Sequence, residues 1–360
     1  MILSFSLICL STYLIWKASE SFDIASSYLT RNLNEGIKGP TINAIASSLP
    51  ELLISFFFLF YIGDLEGFSA GYATIIGSSI FNIAIIPAVS FLVIYYKYGT
   101  PLFPTDKKII EQDGFFLIVT EIALLAGLYF GGISIYLATI LIVLYCIYIV
   151  LVFKKRNNKN LTNTARTSQN NKEDYIEETG LFKKIININI AGLILNKSKL
   201  NTWKASLILV ISLVIISLAC KELVTSSEQL SEQLNMNLFF ITFFIAAVAS
   251  SIPDTILSVK DAQNEKYKDA FSNAYGSNIF DICIGIGLPV LVYLMVNGID
   301  VISTTSTSKN NNIVFLSSIF LIVFSIPITI IYWFKGINFY RSIIVIGFYL
   351  SFLGLVFYLS

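Results

Sequence analysis

Polar residues in this chain come in groups, and between the groups lie long apolar runs. A helix needs about 20 mostly apolar residues to cross roughly 30 Å of hydrocarbon. At that length the sequence predicts ten spans, near residues 2–30, 37–62, 68–95, 114–131, 133–153, 205–232, 238–260, 267–296, 312–334 and 340–359. The first and sixth start apolar and turn amphipathic over 17–33 and 221–234, so each is expected to tilt or to emerge into the interface. Residues 1–16 lack a basic leader and an A-x-A cleavage pattern, and are expected to stay as a spanning helix.

Charge then orients the spans. The long polar segment 154–204 carries Lys154, Lys155, Arg156, Lys159, Arg166, Lys172, Lys183, Lys184, Lys197, Lys199 and Lys204 against four acids, which places it in the cytoplasm. Residues 157–172 read as a flexible linker and 181–195 as a helix on the membrane surface. Alternation of sides puts Arg31, Lys38, Lys97, Lys107, Lys108, Lys260, Lys266, Lys268, Lys335 and Arg341 on the same inner face. The outer loops then hold Asp64 and Glu66, the pair Gly131 and Gly132, Glu228 and Glu232, and Asp300 with Lys309. Both termini are expected outside, in the plasma membrane of a single-celled organism.

Composition agrees with an all-α membrane protein: 55% of residues are hydrophobic, 13% are charged, and the mean hydropathy is +0.75. A net charge of +1 gives no reason to expect a nucleic-acid partner. The absence of His removes the commonest transition-metal ligand and leaves proton chemistry to carboxylates. Cys9, Cys146, Cys220 and Cys283 stand singly in apolar runs, so neither a disulfide nor a thiolate metal site is expected. An intramembrane enzyme finds no support, since the chain has no His and therefore no HExxH pattern, and no cofactor or protein partner is implied.

One polar segment occurs twice. Ala46-Ser47-Ser48-Leu49-Pro50-Glu51 returns as Ala249-Ser250-Ser251-Ile252-Pro253-Asp254. Each copy is followed by a second cluster, Gly77-Ser78-Ser79-Ile80-Phe81-Asn82 and Gly276-Ser277-Asn278-Ile279-Phe280-Asp281. With five spans in each half, an odd number, the second half must enter the membrane inverted with respect to the first. The expected organisation is therefore two inverted five-helix halves, 1–153 and 205–360, with the repeats at about 37–95 and 238–296 and the loop 154–204 between them.

Ser47, Ser48 and Glu51 share one helix face, and Pro50 removes a backbone donor and frees the carbonyl of Ala46. Ser250, Ser251, Pro253 and Asp254 are expected to repeat that arrangement, and Ser78 with Asn82 and Ser277 with Asp281 add oxygen pairs at i, i+4. An inventory of carboxylates, hydroxyls, amide and carbonyl oxygens suits a hard cation such as calcium. An ionised acid at a helix centre costs about 2.5–3.5 kcal/mol on insertion scales, so Glu51, Asp254 and Asp281 need cations or protons beside them. The plainer reading is that neutral acids and hydroxyls join helices by hydrogen bonds. Gly63, Gly71, Gly77, Gly276, Gly285 and Gly287 are read as helix-packing positions, and Glu121 as a path-lining acid, a partner for Lys17 or Lys221, or a protonated group facing lipid.

These paired motifs resemble the two α-repeats of the cation/calcium exchanger superfamily. The resemblance implies a sodium/calcium exchanger fold with clustered cation sites and alternating access by sliding of spans one and six. Carried over, Glu51 and Asp254 would be the shared carboxylates, with Ser47, Ser48, Ser250 and Ser251 beside them. Ser78 and Ser277 would serve outer sodium sites, Ala44 and Ala247 would lend carbonyls, and Asn82 and Asp281 would flank the middle. The implied activity is exchange of sodium for calcium by a monomer in the lipid bilayer. The alternative keeps the fold but couples calcium or another cation to protons, or adds potassium. Asp281 resembles both potassium-dependent and potassium-independent branches, so potassium coupling stays open.

Overall fold

A computed structural model describes residues 1–31, 33, 37–103, 105–157, 188–195, 200–303, 309–334 and 336–358. Most of the expected linker, with the first part of the 181–195 helix, lies outside those residues. The described chain is nearly all helix: α1 Ile2–Leu29, α2 Gly39–Ser47, α3 Leu49–Tyr61, α4 Asp64–Tyr98, α5 Lys107–Tyr129 and α6 Ile135–Asn157. Then follow α7 Ile190–Leu195, α8 Thr202–Leu234, α9 Leu238–Gln263, α10 Tyr267–Asn297, α11 Lys309–Trp333 and α12 Phe339–Tyr358. Short strands β1 Gly132–Ser134 and β2 Val301–Ser303 pair antiparallel.

Eight of the described helices are long and apolar enough to cross a membrane, and the pair α2–α3, bent by 45°, passes the same test only when its two parts are taken together. This is a multi-pass integral membrane protein. Helix α5, which covers the expected span 114–131, is not among the eight and carries Glu111, Asp113 and Glu121.

Local chemistry sets the helix ends. Asp106, Asn201 and Asn237 cap α5, α8 and α9 by accepting backbone N–H bonds of 2.9–3.0 Å. Helices α4 and α10 both stop at a left-handed glycine, Gly99 (φ 68°) and Gly298 (φ 64°). Gly63 also has positive φ, 78°, and an added Cβ there would meet nothing closer than 4.0 Å. It is a turn glycine and not the packing position expected of it.

Helix α1 lies along α8, and Ser4 Oγ donates to Gln233 Oε1 at 3.3 Å, which sets the start of α1 beside the end of α8. This pair, with α7 and the faces of α3 and α9 that carry Ile54, Phe58, Ile241 and Ala246, forms one apolar core. A second, larger core gathers α4, α5, α6, α10, α11 and α12. Helix α7 is not a free surface element: Ile190, Ala191 and Leu195 are buried against α1 and α8, and the Ala191 N–H donates to Ser21 Oγ at 3.4 Å.

Several contacts come in reciprocal pairs. An added Cβ on Gly77 would meet the Phe243 carbonyl oxygen at 2.6 Å, and one on Gly276 would meet Pro40 Cα at 2.6 Å. Each glycine lets its helix press against the other half's π-helical turn, Thr242–Ala246 or Gly39–Asn43. In the same way Ile133 pairs with Ile302 and Phe103 bridges to Ile337, so each half's third-to-fourth connection pairs with the other half's fourth-to-fifth.

Candidate cation-binding site

The duplicated segments meet where α2–α3, α4, α9 and α10 cross. The first copy breaks as its Pro predicts: Ser48 sits at φ −90°, ψ 5°, the axis bends by 45°, and Pro50 falls in the first turn of α3, where its missing N–H is harmless. The second copy does not. Helix α9 runs unbroken through Pro253, contrary to the expected repeat of the arrangement, and the Ser251 carbonyl there accepts from Thr255 Oγ1 at 2.9 Å. The distortion common to both copies lies upstream, in a π-turn that starts eight residues before each first serine.

Glu51, Asp254 and Asp281 are fully buried, as are Ser48, Ser78, Asn82, Ser250, Ser251 and Ser277. Each half supplies a serine to its own acid: Ser78 Oγ donates to Glu51 Oε1 at 3.2 Å and Ser277 Oγ to Asp254 Oδ1 at 2.7 Å. The halves also cross over. Asn82 Nδ2 reaches Asp254 Oδ2 at 3.3 Å and Ser78 Oγ at 3.3 Å, and Ser251 Oγ donates to Ser78 Oγ at 2.9 Å. Ser47 donates to the Asn43 carbonyl at 2.7 Å and Ser250 to the Ala247 carbonyl at 3.1 Å, with their hydroxyls beside Asp254 and Glu51 respectively. The Ala44 carbonyl accepts from the Ser48 N–H at 3.0 Å.

Several buried oxygens in this cluster have no donor. Glu51 Oε2, both oxygens of Asp281, Asn82 Oδ1, Asn273 Oδ1 and the Ser48 hydroxyl are without a hydrogen-bond partner. Asp281 lies within electrostatic reach of Glu51 and Asp254, with the Ser48 hydroxyl beside it. Buried acceptors left unpaired cost about 1–3 kcal/mol each, more when charged. If ionised, the acids among them need a proton or a cation beside them. Among the described residues no three carboxylates, thiols or imidazoles converge as a ready metal cage, so any cation here takes a mixed set of carboxylate, hydroxyl and amide oxygens.

The family profile of the sodium/calcium exchanger protein matches residues 3–154 and 204–358. The chain belongs to this family. Its relatives include sodium/potassium/calcium exchanger 1 of Bos taurus, 33% identical over 99 residues, which cover 28% of this chain and 8% of the bovine protein. The membrane protein MJ0091 of Methanocaldococcus jannaschii is 23% identical over 284 residues, covering 78% of this chain and 80% of the other. The matched part of this exchanger-family chain thus spans less than a tenth of the bovine relative. Among solved structures, the H+/Ca2+ exchanger CAX superposes with a TM-score of 0.67 at 16% identity over 99% of this chain and 86% of that one. The sodium-calcium exchanger NCX_Mj gives a TM-score of 0.56 at 19% identity over 98% of both chains. At these identities the likeness is one of fold.

Sequence reasoning missed several polar neighbours of this exchanger-family cluster. Asn273 donates to Asp254 Oδ1 at 3.3 Å and to Ser258 Oγ at 3.1 Å, and Asn278 donates to the Ser79 carbonyl at 2.7 Å. Asn273 lies four residues before Ser277 on one helix face, a spacing that could have marked it. Asn43 reaches out of the first π-turn to Asp261 Oδ2 at 3.0 Å. Glu121 stands apart from the cluster: Ser325 Oγ donates to its Oε1 at 2.7 Å. Neither expected lysine partner is there, since Lys17 pairs with Glu20 at 3.0 Å and Lys221 lies 5.1 Å from the centre of the Tyr61 ring. Nor does Glu121 face lipid, because it is buried.

Proposed function

We propose that the chain is a secondary active antiporter that exchanges sodium for calcium by alternating access, with both ions competing for the oxygens around Glu51, Asp254 and Asp281. The observation that carries this reading is the set of unpartnered, fully buried acceptors, Glu51 Oε2 and both Asp281 oxygens, in a cluster that offers no Lys or Arg hydrogen bond to its acids. In this reading Ser47, Ser48, Ser250 and Ser251 lend oxygen beside the acids, Ser78 and Ser277 hold the outer sodium positions, Asn82 and Asp281 flank the middle, and Ala44 and Ala247 lend carbonyls. Crossing the membrane with the site empty would bury uncompensated charge, so exchange is obligatory.

The architecture that serves this is a pair of inverted five-helix halves, 1–153 and 205–360, joined by a cytoplasmic loop 154–204. The reciprocal Gly77–Phe243 and Gly276–Pro40 contacts support it, as do the matched loop pairings. Both termini lie outside the plasma membrane, and the monomer is the working unit. A second reading keeps the site and changes the coupling ion. Glu51 and Asp281 lie within electrostatic reach of each other, and a proton or a potassium ion would relieve them as sodium does.

Purified protein in liposomes separates these readings. An outward sodium gradient is expected to drive radioactive calcium uptake with or without potassium. Uptake that follows an imposed proton gradient and ignores sodium would replace the first reading by the second.

A further inference from the structure

A narrow cleft runs between α1 and α9 toward the cluster. Ser47 and Pro253 line it at the cluster, and Glu20, Asp23 and Lys260 line it farther out. Trp16 and Ser19 form part of its wall. Across this cleft both oxygens of one carboxylate are taken by ammonium groups: Lys17 Nζ lies 3.0 Å from Glu20 Oε2, and Lys260 Nζ lies 3.2 Å from Glu20 Oε1. Lys17 is anchored 4.0 Å from the centre of the Trp16 ring, whereas the Lys260 side chain is 47% exposed and reaches over from α9. The opposite seam differs. Between α8 and α3 the fully buried Cys220 Sγ packs 3.8 Å from the Pro50 carbonyl, with no ion pair across the contact.

We propose that Glu20 and Lys260 form a displaceable gate on the cation route from this cleft to the central site, Lys260 acting as a tethered cation that an arriving metal ion must evict. The inference rests on the exchange reading above and adds residues to it. While Lys260 holds Glu20, the other acid lining the cleft, Asp23, accepts from Ser27 Oγ at 3.1 Å. When Lys260 leaves, Glu20 offers an oxygen to the incoming cation one step before Ser47, and the local field draws cations in.

The test is a side-specific calcium titration of sodium-driven flux in oriented proteoliposomes. An exposed ion pair is worth about 0.2–1 kcal/mol, so Lys260→Gln is expected to lower the apparent KM for calcium at the cleft face by up to about fivefold. Glu20→Gln should raise it by a similar factor, and Lys260→Arg should stay near wild type. The charge exchange Glu20→Lys with Lys260→Glu should return KM toward wild type, and KM at the opposite face should not move in any variant. Unchanged KM at both faces in Lys260→Gln and Glu20→Gln, with flux still abolished in Glu51→Gln, would overturn the gate and leave the exchange reading standing. Absence of sodium-driven flux in the wild type would overturn both.

Discussion

The two copies of the duplicated segment end their second cluster differently, one with Asn82 and the other with Asp281. Asn82 has protons to give and bridges to Asp254 at 3.3 Å, so the first half's residue satisfies the second half's acid. Asp281 has none when ionised, and in the matching position it faces Glu51 with both oxygens unpartnered. One crossing is therefore closed by an amide, and the other brings two acids together. The difference teaches that a near-symmetric scaffold can place an asymmetric charge: three carboxylates, two of them on the second half.

The largest effect should follow from removing either shared acid. Glu51→Gln and Asp254→Asn are each expected to abolish calcium exchange, with flux reduced about 100-fold or more, while the purified variants keep the thermal stability of the parent. Persisting exchange in one of them would mean that the halves do not contribute equally. The backbone match comes next. Gly77→Ala and Gly276→Ala put a Cβ against backbone atoms at 2.6 Å and should each cost about 1–3 kcal/mol of stability, read as a fall in melting temperature in detergent. Similar losses are expected at both, and a loss at only one would break the reciprocity.

Charge exchange sharpens the comparison further. Asp281→Asn makes the second copy resemble the first and should weaken calcium affinity about tenfold. Combining it with Asn82→Asp moves the third carboxylate to the other half and should recover most of that loss, as measured by calcium-dependent flux. The smallest effects belong to the serines. Ser277→Ala removes a 2.7 Å bond to Asp254 and Ser78→Ala a 3.2 Å bond to Glu51, so the first should shift calcium affinity more, within about three- to tenfold.

Much of this site could be read in the chain itself, because a carboxylate after a proline in an apolar run is costly enough to stand out, and its return at Asp254 is hard to explain by packing. The break at Ser48 was legible for the same reason. What could not be read is why Pro253 leaves α9 whole, since the local sequence is nearly the same and only the surroundings differ. The π-turns at Gly39–Asn43 and Thr242–Ala246 share only the Ile at their fourth position, Gly-Pro-Thr-Ile-Asn against Thr-Phe-Phe-Ile-Ala, and composition gives no sign of them. Asn273 and Asp261 sit near helix ends among polar and charged residues, where a buried amide or acid looks like an exposed one. The membrane-crossing, nearly all-helical character was legible, but the grouping was not: only the structure shows α1 and α8 sharing a core apart from the larger one.

The most direct test of a single site built from both halves is equilibrium binding of radioactive calcium to the purified protein, titrated with sodium. The account predicts saturable calcium binding that sodium displaces competitively and completely, and its loss in both Glu51→Gln and Asp254→Asn. Calcium that stays bound at saturating sodium, or wild-type binding in either variant, would contradict it.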